Sequence, residues 1–114
     1  MDFSIVTKNL TKAEDSRTFP DGSVRSSVKL RSAIIGSRGY QSGWKWSLHA
    51  GNQTGKTSEN HIGYIISGHM TIQDATEIES KIGPGDAFEI SPGRDAWVVG
   101  NEPCAAIDFY HCIE

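Results

Sequence analysis

Residues 61–72 read HIGYIISGHMTI, and residues 82–99 read IGPGDAFEISPGRDAWVV. The first stretch is a run of β-formers, a tight turn at Ser67-Gly68, and a second run. It reads as two short strands in succession. In the second stretch Gly83-Pro84-Gly85-Asp86 has the composition of a turn. Phe88 and Ile90 then alternate with Ala87 and Glu89, as a strand with two unlike faces requires. Ser91-Pro92-Gly93 breaks the run, and residues 96–99 resume it.

The same punctuation extends outward. Gly or Pro recurs at short intervals from Pro20 to Gly100, and the intervals are rich in Val, Ile, Thr and aromatics. Strands are expected over residues 28–35, 44–49, 61–67, 69–73, 87–90, 96–99 and 105–110. Residues 11–17 are polar and read as a loop or short helix. Many short strands with frequent turn signals indicate an all-β sandwich or barrel. A chain of 114 residues supplies one domain.

Residues 50–57, AGNQTGKT, fit the loose form of a phosphate-binding loop. Such a loop works by leading into a helix, whose free N–H groups and dipole hold the phosphates. Here Ser58-Glu59-Asn60 leads into the β-forming run at His61. The string therefore reads as a polar hairpin loop. The net charge is −3, without a basic patch, so nucleic acid is not expected as a partner. No stretch is apolar enough to span a membrane. The first residues lack a signal-peptide pattern, so a cytoplasmic protein is expected. Cys104 and Cys112 are even-spaced. On one strand they would lie roughly 26 Å apart, so both are expected as reduced thiols.

The two opening stretches resemble the cupin family. The second resembles the family's motif G-D-x-x-x-I-P-x-G-x-x-H over residues 85–95, and Ala96 stands where the final His is usual. The first resembles E-x-x-Y-V-L-x-G over residues 61–68, with His61 in the Glu position. RTFPDG (17–22), GWKWSLH (43–49) and DAWVVGNEP (95–103) are similar to small uncharacterised bacterial cupins. The resemblance covers nearly the whole chain. It implies a double-stranded β-helix, a jelly-roll barrel with a short polar N-terminal segment. The expected organisation is a single domain over residues 1–114, with an N-terminal strand segment at 1–42 and barrel motifs at 43–110.

Most cupin enzymes hold Fe, Mn, Ni, Zn or Cu with three His and one Glu, and the resemblance implies such a site. The usual H-x-H pair maps to Ser47 and His49. That leaves His49 and His61 as candidate metal ligands, in an incomplete motif. Glu59, Asp95 and Asp108 are nearby carboxylates that no motif places. Similar small cupins often carry a His at position 94. Arg94 cannot ligate a metal; it reads as an anion-binding residue or a surface pair with Asp95. His69 and His111 read as solvated.

Ser47, His49, His61, Tyr64 and Trp97 are the candidate ligand-binding residues. Each has a plainer alternative: an exposed loop-edge His49, a hydrogen-bonded buried His61, tryptophans that only fill the core. Two functional readings stay open. One is a protein that binds a small molecule in the barrel, with a degenerate metal site. The other is a metal-dependent oxygenase or isomerase using His49 and His61. A homodimer is expected from the resemblance, with the runs FSIV (3–6) and SVKLRSAII (27–35) as candidate pairing edges.

Overall fold

The computed structural model describes residues 5–47, 61–90 and 95–111. A 3-10 turn, η1 (Leu10–Lys12), precedes nine strands: β1 (Asp15–Thr18), β2 (Val24–Lys29), β3 (Ala33–Tyr40), β4 (His61–Ser67), β5 (His69–Gln73), β6 (Glu79–Ile82), β7 (Ala87–Ile90), β8 (Asp95–Val99) and β9 (Cys104–His111). They form a six-stranded sheet in the order β1-β2-β3-β9-β4-β7 and a three-stranded sheet in the order β6-β5-β8. Every pairing within the two sheets is antiparallel. This is the all-β jelly-roll arrangement expected. Among the described residues no helix is long and apolar enough to cross a membrane.

β4 begins at His61. From His61 on the chain is thus a strand, whereas a phosphate-binding loop needs a helix behind it. The loop itself lies outside the described residues.

Three local expectations are corrected. Residues 28–35 are not one strand: Leu30, Arg31 and Ser32 form the turn between β2 and β3, closed by the Leu30 N–H donating to the Ala33 carbonyl at 2.8 Å. Residues 15–17 of the supposed polar loop or short helix belong to β1, because pairing with β2 supplies the hydrogen bonds that their composition does not advertise. Residues 44–47 belong to neither sheet; within them Lys45 alone makes an isolated bridge, to Trp97. The N-terminal half therefore contributes three of the six strands of the large sheet.

The apolar core lies between the sheets. Ile65, Cys104 and Ala106 come from the large sheet, Met70, Ala96 and Val98 from the small one, and Phe19 and Trp44 close one end. The pleat explains the selection, since side chains two apart share a face. Gly83-Pro84-Gly85-Asp86 forms the expected turn, with the Asp86 N–H donating to the Gly83 carbonyl at 3.0 Å. The Ile65 N–H donates to the Asp86 carbonyl at 3.0 Å, which ties this turn to the middle of β4.

Candidate functional site

The inward face of the large sheet changes character along its strands. Cross-strand partners point to the same side, so the registers can be followed as rungs. One rung runs Arg17, Arg25, Arg38, Ala106, Ile65. The next runs Asp15, Ser27, Gly36, Asp108, Gly63, Phe88. Beyond it, Lys29 pairs with Ile34 and Ile34 with Tyr110. Ile65 and Ala106 belong to the apolar core. Moving away from them, the interior becomes charged.

Arg38 and Asp108 sit at this transition, their side chains each only 3% exposed. Charged groups are almost never buried this deeply unless paired. Arg38 Nε donates to Asp108 Oδ2 at 3.1 Å. Nη1 donates to the carbonyls of Ser26 and Ser37 at 3.3 Å. Nη2 is buried and has no hydrogen-bond partner among the described residues. Burial opposes the charge, but Asp108, joined by Tyr40 and Tyr110, outweighs it, and the guanidinium pKa lies above its ordinary value.

Two glycines make room for the pair. A Cβ on Gly36 would lie 2.6 Å from Arg38 Nη2. A Cβ on Gly63 would lie 2.8 Å from Asp108 Oδ1 and would also run into the Phe88 ring. Any larger residue at either position displaces the ion pair or the ring beside it.

A cavity of about 520 Å³ opens on this region. Asp15, Arg25, Ser27, Lys29, Arg38 and Tyr110 line it, with Glu14 at its rim. Glu14 is held by Lys8 Nζ, which donates at 2.8 Å, and by the Lys29 N–H at 3.2 Å. These contacts keep its carboxyl below the usual pKa, the Lys8 bond being the larger cause.

Of the residues picked from sequence, Ser47, Tyr64 and Trp97 fall elsewhere. Ser47 is exposed and donates through Oγ to Asp95 Oδ2 at 2.7 Å, while its N–H donates to Oδ1 at 3.0 Å. The segment turns Trp44 to the core, with Trp46 packed against it, and so presents the face opposite to the one expected. Trp97 is half-buried between the inward Ala96 and Val98, on the other face of β8, with Lys45 Nζ 5.3 Å from its ring centre. Tyr64 is 43% exposed and alternates with the buried Gly63 and Ile65. His49, Glu59 and Arg94 lie outside the described residues. His61 pairs with Ile90 at the start of β4. Ser47, Tyr64 and Trp97 do not line the cavity. Asp95 engages Ser47 and lies 3.7 Å from Lys45 Nζ.

The family's usual metal set does not fit the residues described. Ala96 has no ligating atom, the Ser47 hydroxyl is committed to Asp95, and no three His, Cys, Asp or Glu side chains cluster among the described residues. A four-ligand centre of the usual kind lacks two of its members.

Sequence reasoning missed Arg38 altogether and met Asp108 only as an unplaced carboxylate. A signal existed. Arg38 stands among the small residues Gly36, Ser37 and Gly39, inside a run with strand length. Isolated glycines in a strand mark a close approach.

A family model described as the EutQ-like cupin domain matches residues 36–104. No curated protein matches the chain. Solved structures of similar fold include KdgF from a Halomonas species, at 17% identity and TM-score 0.63, covering 89% of this chain and 88% of that one. An RmlC-like cupin from Shewanella frigidimarina matches at 13% identity and TM-score 0.65, covering 97% and 94%. The cupin domain of Schizosaccharomyces pombe Cnp3 matches at 12% identity and TM-score 0.63, covering 96% and 74%. At these identities the likeness is one of fold.

Proposed function

The chain belongs to the family of EutQ-like cupin domains, and from that premise we propose that it is a cytoplasmic homodimer that binds a small organic molecule inside its barrel. The observation that carries this reading is the cavity of about 520 Å³ on the charged inward face of the large sheet. Its volume falls in the range of small-molecule sites, roughly 300–1,000 Å³. Its floor is pre-organised, because the Arg38–Asp108 pair is fixed by packing and hydrogen bonds before any ligand arrives. The free Cys104 thiol suits a reducing compartment.

Binding of this kind raises the melting temperature, because a ligand that prefers the folded state stabilises it by mass action. A small-molecule library screened by thermal shift is the direct test. Hits are expected to lose their effect in Ser27→Phe, which fills the cavity wall from β2. Hits that act equally on wild type and Ser27→Phe would place the site elsewhere and end this reading.

A further inference from the structure

We propose that the cavity is built for a small organic monocarboxylate, gripped by Arg38 and Arg25. This rests on the reading of the cavity as a ligand site and adds the chemistry of what it takes.

Two independent features point to an anion. The first is the register of the large sheet. Arg17 pairs with Arg25, and Arg25 with Arg38. Like charges directly opposite one another across strands are destabilising. Three arginines in one rung form a row that the fold alone does not favour. Arg17 has its own contact, 4.9 Å from the centre of the Phe19 ring. Arg25 and Arg38 are left facing the cavity. The second feature is Arg38 Nη2. It is sealed from solvent, bears two N–H donors, and meets no acceptor among the described residues. Leaving buried donors unmet is costly. An incoming oxygen is the acceptor this group lacks, and guanidinium groups suit carboxylates through paired N–H donors.

Charge selects between anions. The cavity lining carries Arg25, Lys29 and Arg38 against Glu14 and Asp15, a difference of three and two, or one net positive charge. Asp108 beneath Arg38 adds one negative charge and Lys8 bonded to Glu14 adds one positive, so the balance of one positive charge stands. One carboxylate brings the site to neutrality. A phosphate dianion would meet Asp15 and Asp108 with charge left over. Asp15 and Ser27 offer partners for polar groups on the body of the ligand.

The test is calorimetry and thermal shift on the full chain, with a panel of small monocarboxylates. Each is paired with its neutral amide, and inorganic phosphate is added at matched ionic strength. The acids are expected to bind at least tenfold more tightly than their amides and than phosphate. Arg25→Gln, on the half-buried side of the row, is expected to fold and to weaken acid binding at least tenfold, and amide binding by much less. Arg38→Lys keeps the charge but loses the fork, and is expected to weaken the acids likewise.

Acids that bind no better than amides would overturn the proposal, as would acid binding unaffected by Arg25→Gln; the missing acceptor would then be water. Phosphate binding as tight as the acids would show a general anion site and equally refute it. A neutral library hit that is lost in Ser27→Phe, together with acids that bind no better than their amides, would show that the cavity binds ligands while the carboxylate assignment fails. No response of any kind, to library or acids, would remove both.

Discussion

The buried pair of Arg38 and Asp108 shows how one side chain sets the character of a whole region. Taking two charges out of water is expensive, and their attraction repays it only with good geometry and further hydrogen bonds. Asp108 and the carbonyls of Ser26 and Ser37 provide these. Little of this was legible beforehand. A single sequence shows an Arg and an Asp seventy residues apart, and only the β3–β9 register brings Gly36 opposite Asp108 and Arg38 opposite Ala106. The candidate residues came from family motifs; of these Tyr64 lies on the outward face of the same sheet and Trp97 on the other sheet, away from the ion pair. Of the two thiols expected, Cys112 lies outside the described residues, and Cys104 is free and fully buried. Its burial has a consequence in alkali. The thiol is pushed up from 9.0 to about 11 by burial, and burial likewise raises the Tyr40 phenol above its ordinary 10.0. Both are acids whose pKa is higher folded than unfolded. Their contribution is fully present below about pH 9. It is lost as pH rises toward 11, because the unfolded chain gives up these protons first. Urea midpoints are expected to fall between about pH 9 and 11, and in Cys104→Ala the fall should begin later. A flat midpoint, or an unchanged onset in the variant, would contradict this.

Strands were legible where sequence pattern and turn chemistry agreed. β4, β5 and β7 have the bounds that HIGYIIS, HMTIQ and AFEI suggest, because Gly68 and the Gly83–Asp86 turn mark their limits. β1 and β6 were not singled out. DSRT and ESKI are polar and lie at the outer edges of their sheets, where solvent permits such composition and pairing alone decides the structure. The β2–β3 turn was missed because Leu30-Arg31-Ser32 contains neither Gly nor Pro. The β4–β5 turn makes the firmest demand on one residue. Gly68 has φ +79, and a Cβ there would strike the Pro103 carbonyl oxygen and come 2.6 Å from Cys104 Cα. Both obstacles are backbone and cannot swing aside. Gly100 has a similar φ of +89 with open space around it. Left-handed backbone alone costs roughly 1–2 kcal/mol for a residue with a Cβ. Gly100→Ala is expected to lose about that much stability in urea denaturation, and Gly68→Ala clearly more. Equal losses would mean that the contact with Pro103 and Cys104 yields without cost.

The outward face of the large sheet completes the molecule's logic. Ile62, Tyr64 and Ile66 of β4 are 49%, 43% and 51% exposed, and Phe109 of β9 is 42% exposed. Ile62 pairs with Phe109 and Tyr64 with Ile107, so these side chains form one continuous apolar surface across adjacent strands. A monomer has little reason to leave such a patch in water, and patches of this kind mark contact sites. Of the expected pairing edges, FSIV lies partly outside the described residues, and SVKLRSAII does not serve. SVKLRSAII forms the β2–β3 hairpin, and both strands are already bonded on each side, β2 by β1 and β3, β3 by β2 and β9. The proposed homodimer would seat a second copy of the chain on this face. Two such sheets packing face to face would bury the four residues together, whereas edge pairing would leave them exposed. The dimer contact and the ligand cavity then lie on opposite faces of the same sheet. Light scattering after size exclusion is expected to give twice the 12.4 kDa chain mass. Tyr64→Lys with Ile62→Glu should give the single-chain mass while leaving the interior of the barrel intact. The melting temperature of the wild type should rise with concentration, and that of the variant should not. A wild type that runs as a monomer at about 100 μM, far above the micromolar dissociation constants of ordinary weak interfaces, would leave the apolar face without a partner copy and refute this assembly.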